Sequence, residues 1–97
     1  MFDLTAFQRD ILHIINGMDE PHGLAVKEKL EEYYENEINH GRLYPNLDTL
    51  VEKGLLSKGT IDKRTNSYTI TSRSENELEQ RMEWINSHSD SDESEDE

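Results

Sequence analysis

Arg42, Asn46, Thr49 and Lys53 recur at i, i+4, i+7 and i+11, so on a helix they share one face. Their guanidinium, amide, hydroxyl and ammonium groups are the chemistry that reads base edges and phosphates. Leu43, Leu47 and Leu50 run through the same stretch at i, i+4 and i+7 and form an apolar stripe. A helix that buries leucines and turns Arg, Asn, Thr and Lys outward is what recognition of DNA in the major groove requires. The same periodicity also describes an ordinary amphipathic helix with a solvated polar face. The neighbouring elements decide between these readings.

Asn39 is the expected cap of this helix, Pro45 sits early in it, and Gly54 ends it. Two helices precede it. Thr5 reads as an N-cap ahead of a helix through Asn16, with Phe7, Ile11, Ile14, Ile15 and Met18 on its core face and Gly17 as its stop. Gly23 opens a second helix running to about Tyr34, with Val26, Leu30 and Tyr33 as its expected buried side. After Gly54, residues 55–61 read as a strand, 62–66 as a polar turn, and 67–71 as a half-buried strand of alternating polar and apolar residues. Arg73 to His88 is a last helix. Three helices, a basic-tipped hairpin and a helix make an α+β, mainly α architecture: a winged helix-turn-helix with a C-terminal dimerisation helix. The expected organisation is a DNA-binding unit over 1–72, the dimerisation helix over 73–88 and a disordered acidic tail over 89–97, where no apolar residue occurs.

A net charge of -12 on 97 residues argues against nucleic acid at first sight, because phosphate attracts Lys and Arg. Divided along the chain, the objection weakens. Residues 1–38 hold nine acidic and three basic side chains, and residues 74–88 four and one. Residues 39–73 instead carry Arg42, Lys53, Lys58, Lys63, Arg64 and Arg73 against Asp48, Glu52 and Asp62, a local +3. The acid-rich, lysine-poor bias fits a protein of a high-salt cytoplasm, where carboxylates hold hydration and cations. A mesophilic acidic adaptor is the other reading. With no cysteine, a disulfide framework, a cysteine zinc site and thiol redox sensing are excluded. The start of the chain lacks the features of a signal peptide, and no apolar run is long enough to span a membrane, so the expectation is cytoplasmic.

Gly41-Arg42-Leu43-Tyr44-Pro45-Asn46-Leu47, with Leu50, the Gly54-Leu55 pair and the hairpin residues Tyr68-Thr69-Ile70-Thr71, resembles the PadR family of transcriptional regulators. The family pattern is a Gly-x-Leu-Tyr-Pro run, a Leu, a Gly-Leu pair and a Tyr-x-Leu-Thr-like second wing strand. Here Ile70 replaces Leu, and the glycine usual shortly after the Thr is missing, since Ser72-Arg73-Ser74 follows. The resemblance covers roughly residues 5–86 and extends to haloarchaeal members linked to oxidative stress. It implies a homodimer on partly palindromic operator DNA, usually repressing. It also implies a dimer contact between the last helix and the partner's first helix, through Phe2, Leu4, Phe7, Leu78, Met82, Trp84 and Ile85. The residues agree in part: Leu78, Met82 and Ile85 form a stripe, with Trp84 off it. Packing of Trp84 within its own chain is the alternative.

At the DNA, Arg42, Asn46 and Thr49 are the expected major-groove contacts, Arg favouring guanine and Asn adenine. Each could instead hold a phosphate, as Lys53 and Lys58 are expected to do. Tyr44, within the matched motif, is expected near the DNA with its hydroxyl toward a phosphate, or else under the helix in the core. His40 could assist at the helix start or face water. Lys63, Arg64 and Asn66 on the wing are expected at the backbone or minor groove. Asp48 and Glu52 lie among these donors, so K+ or Na+ bridging carboxylate to phosphate is expected, with cation uptake on binding.

His13, His22, His40 and His88 show no metal spacing, and no nucleophile–base pair or phosphate-cradling glycine loop occurs. No enzyme, metal or cofactor is expected. The competing reading is an acidic winged-helix protein-interaction module or DNA mimic. A small-molecule effector is open, since several family members bind aromatics near the dimer interface.

Overall fold

The computed structural model describes residues 3–96, the side chains only as far as residue 89. The element order is α1 (Ala6–Asn16), α2 (Gly23–Tyr34), α3 (His40–Glu52), β1 (Leu56–Asp62), β2 (Thr65–Ile70) and α4 (Ser72–Asp96). Phe2 lies outside the described residues.

Thr5 caps α1 as expected, and Gln8 completes a reciprocal capping box: the Gln8 amide donates to Thr5 Oγ1 at 3.1 Å, and the Thr5 amide donates to Gln8 Oε1 at 3.2 Å. Two of the helix's first orphan donors are satisfied this way. Ile11, Leu12 and Ile15 of α1, Val26 and Leu30 of α2, and Leu43, Leu47 and Leu50 of α3 converge in one core, nearly all of them wholly removed from solvent. Burying each such side chain contributes about 1.5–3 kcal/mol. Leu55, Leu56 and Tyr68 extend this core under the hairpin.

Two expectations about packing are corrected. The inward row of α2 runs Gly23, Val26, Leu30, Tyr34, so Tyr33 is left 70% exposed. Spacings of three, four and four residues keep Tyr34 inside the buried arc, and its hydroxyl donates to Asp10 across the α1–α2 seam. Burial, then that carboxylate, push the Tyr34 hydroxyl up to about 12. Second, Leu4, Phe7 and Leu78 do not wait for a partner chain: all three are buried in their own core. Phe7 lies one turn ahead of Ile11 on the same face of α1, and Leu78 is the residue with which α4 reaches the core.

The hairpin is antiparallel, pairing Leu56 with Ile70 and Lys58 with Tyr68, with a bulge between Thr60 and Asp62. The outer edge of β2 is held by the chain ahead of α2: the Tyr68 amide donates to the Pro21 carbonyl at 2.9 Å, and His22 bridges to Ser67. This fixes the hairpin against the start of α2. Gly54, at φ +76°, makes the turn from α3 into β1, a left-handed conformation that a side chain disfavours. The backbone of α4 is helical through Asp96, past His88 where the sequence predicts the helix to end. Extension of a formed helix adds a backbone hydrogen bond per residue with no new nucleation, so a polar run can continue it.

Candidate nucleic-acid interface

The helix α3 presents two polar flanks on either side of its outward line. On the flank facing the start of α1, the Arg42 guanidinium lies 3.9 Å over the Phe7 ring. Asn46 Oδ1 accepts from Gln8 Nε2 at 2.9 Å, and Asn46 Nδ2 donates to the Arg42 carbonyl at 2.7 Å. Thr49 Oγ1 donates to the Pro45 carbonyl at 3.0 Å. Lys53 Nζ sits 3.3 Å from Asp3, and that hydrogen bond holds the Asp3 carboxyl below the usual carboxylate range. The four residues predicted to read DNA thus share a face, but only Arg42 is exposed with its hydrogen-bond donors uncommitted to a side chain. Asn46 uses both ends of its amide within the protein, which braces α3 against α1. Bidentate adenine readout by Asn46 would first have to release Gln8.

The other flank faces the wing. Tyr44 stacks on His40 with ring centroids 5.5 Å apart and planes 8° from parallel. Together with His22, Gly23 and Leu24 at the start of α2, and with Arg64, Thr65, Asn66 and Tyr68 of the hairpin, Tyr44 lines a cleft of ≈ 220 Å³. Burial pushes the Tyr68 hydroxyl above its ordinary range. No side chain caps the start of α2, so its first amides remain available where the helix dipole favours an anion. A Cβ at Gly23 would stand 2.6 Å from the Tyr44 hydroxyl, so any larger residue there would have to displace the Tyr44 ring.

At the wing tip the Arg64 amide donates to Asp62 Oδ1 at 3.0 Å, which lowers the Asp62 carboxyl and holds the turn so that Lys63 and Arg64 project outward. Lys58 lies 3.8 Å from Asp48. The structure therefore brings Tyr44, His40, Arg64 and Asn66 together with the start of α2. Arg42, Asn46, Thr49 and Lys53 lie on the opposite flank, and Lys63 projects from the wing tip beside Arg64.

Three participants went unread in the sequence. Gln8 carried a signal, the Thr-x-x-Gln spacing of a capping box. Gly23 carried one as the glycine opening a helix, a place for close approach. The third, Arg73 of α4, donates from Nη1 to the Lys53 carbonyl at the end of α3 at 2.9 Å, a pairing 20 positions apart that left no local trace.

A helix-turn-helix with a basic hairpin folded against the start of its second helix defines a winged-helix DNA-binding protein. The chain matches the Transcriptional regulator PadR-like family over residues 11–80, and it belongs to that family. It is thus a DNA-binding transcriptional regulator and not an enzyme. Among solved structures it is similar to the complex hsRosR-S1, at 52% identity and TM-score 0.85, covering 90% of this chain and 77% of that one. It is also similar to H. salinarum RosR from crystals grown with NaBr, at 52% identity and TM-score 0.84, covering 89% and 77%. The complex hsRosR-S4 matches at 52% identity and TM-score 0.85, covering 89% and 74%. Among curated proteins, none matches. No helix of the described residues is long and apolar enough to cross a membrane, and no group of three or more His, Cys, Asp or Glu among them could hold a metal ion.

Proposed function

We propose that the chain binds operator DNA as a homodimer, with α3 in the major groove and the hairpin on the backbone or in the minor groove. The observation that carries this reading is the cleft in which Tyr44 of α3, the uncapped start of α2, and Arg64 and Asn66 of the wing converge. Phosphate contacts of this kind position a protein on the duplex, leaving base readout to the exposed side of α3. Arg42 is the donor best placed for guanine, while Asn46 and Thr49 shape the helix rather than read a base. Lys53, Lys58 and Lys63 serve as phosphate contacts.

The dimer reading rests on α4. Past Leu78 it leaves Met82 46%, Trp84 54% and Ile85 38% exposed. A small monomer rarely shows so much apolar surface on one helix. The groove between α1 and α4, lined by His13, Asn16, Leu78 and Met82 among glutamates, would seat a partner's helix in this reading.

Two lysines on the DNA side, Lys53 and Lys58, already stand beside carboxylates, Asp3 and Asp48. When phosphate takes the lysines, the carboxylates face like charge. Bound K+ or Na+ would relieve it, so affinity falls less steeply with salt than counterion release demands, or rises. Such behaviour suits a high-salt cytoplasm, a setting in keeping with the H. salinarum relatives. The stress signal and any small effector belong to the same reading.

The test is fluorescence anisotropy of the full chain on DNA from its own upstream region, from low to multimolar KCl. Saturable specific binding that is lost in Arg42→Ala supports the regulator as described. A log–log salt slope as steep as that of ordinary regulators sinks the cation uptake. Absence of specific binding at every salt concentration would favour an acidic protein-interaction module.

A further inference from the structure

The hairpin is a detour between two hinges. The chain leaves α3 at residues 53–55 and rejoins the helical body at residues 71–74, where α4 begins. These hinges are tied to each other. Arg73 Nη1 donates to the Lys53 carbonyl at 2.9 Å, Thr71 Oγ1 donates to the Gly54 carbonyl at 2.8 Å, and Ser74 Oγ donates to the Leu55 carbonyl. The Thr71 amide adds a 3.3 Å bond to Leu55. Three consecutive carbonyls at the exit from α3 are thereby taken by three side chains at the start of α4.

This joint is built, not incidental. Ser74 is completely buried, and a buried hydroxyl is costly unless it is hydrogen-bonded. Thr71 Oγ1 also accepts the Ser74 amide at 3.2 Å, so one hydroxyl caps α4 and grips α3's exit at once. None of the three residues lines the cleft at Tyr44. They lie instead at the point where α4 leaves the body.

The direction in which α4 leaves has leverage. Trp84 lies ten residues beyond Ser74, about 15 Å along the helix axis, so a tilt of about 10° at the joint moves it by roughly 3 Å. In a dimer closed by a two-fold axis through α4, both protomers swing together, and the separation of the two α3 helices changes. Half-sites on DNA sit about 34 Å apart and admit little error. We propose that Thr71, Arg73 and Ser74 are positioning residues that set the separation of the two recognition helices and so select the operator's half-site spacing. The inference rests on the homodimer proposed above.

The chain has no cysteine, so a single Glu52→Cys on exposed α3 takes one spin label per protomer. Pulsed dipolar spectroscopy of the full-length dimer then reads the distance between the two α3 helices. The labelled parent is expected to give one narrow distance. Adding Thr71→Val with Ser74→Ala is expected to keep the dimer mass and helical content but broaden the distribution or shift its mean by roughly 3 Å. Thr71→Ser, which restores the hydroxyl, is expected to match the parent, whereas Thr71→Val alone does not. On upstream DNA with one base pair inserted between half-sites, the parent is expected to lose about tenfold in affinity and the double variant much less. A double variant whose distances overlay the parent's overturns the positioning role. A labelled parent that sediments as a monomer, with no interspin distance, instead overturns the dimer and this inference with it.

Discussion

The helices α3 and α4 contrast within one small chain. Along α3, Leu43, Leu47 and Leu50 are fully buried, and the polar residues beside them are tied to α1 and to the helix backbone. Along α4, Ser74 and Leu78 are buried, and beyond them the apolar side chains lie in the open. One helix is completed by its own monomer, and the other carries apolar area that its monomer cannot cover. Under the proposed dimer, stability and assembly are written on different helices, and substitutions on each should be read by different measurements.

The largest effect is expected from Leu47→Ala, which empties a fully buried site at the centre of α3. It should cost about 2–5 kcal/mol in urea unfolding, a large share of a small domain's stability. Next comes Trp84→Ser with Met82→Ser on α4. Monomer stability should hardly move, while the dimer dissociation constant from sedimentation equilibrium should rise by about tenfold or more. Equal losses of monomer stability at both helices would erase the contrast.

A middle effect is expected at the α1–α2 seam. Tyr34→Phe removes the hydroxyl's bond to Asp10 and should cost about 1 kcal/mol. The Tyr34 hydroxyl is held up at about 12 in the fold against an ordinary 10.0, so its contribution is complete below pH 10 and is lost as pH rises toward 12. The parent should lose stability through that window, and the Phe variant less.

The smallest change in stability is expected from Asp3→Asn, which breaks an exposed pair with Lys53. Its unfolding midpoint should stay within scatter. Its DNA affinity at low salt should rise, because Lys53 no longer has a competing carboxylate. A fall in affinity would place Asp3 among the groups that assist binding.

The legible parts of the fold were those set by local period. The leucine row of α3, the cap at Thr5 and the stop at Gly54 each depend on residues within a turn or two, and all three hold in the structure. The second strand, read at 67–71 after a turn at 62–66, runs instead over Thr65–Ile70 after a tighter turn. Side-chain direction was legible only in part. Tyr33 and Tyr34 are neighbours on a short helix, and only the arc chosen by α1 packing decides which turns inward. Leu4, Phe7 and Leu78 looked available for a partner because the sequence does not show that one core could hold them all. At the candidate interface, the residue types on α3 were readable but their partners were not: Gln8 meets Asn46 from 38 positions away.

The hairpin's edges carry a last consequence. Residues 21–22 close the outer edge of β2, while among the described residues β1 has a strand beside it on one side only. An open strand edge invites end-to-end polymerisation of copies. Charges such as Lys58 discourage it in dilute buffer, but concentrated salt screens them within about 3 Å at 1 M. The bulge between Thr60 and Asp62 is indifferent to salt, since it spoils the strand's register by geometry. In concentrated salt, a kink guards a sheet edge more durably than a charge.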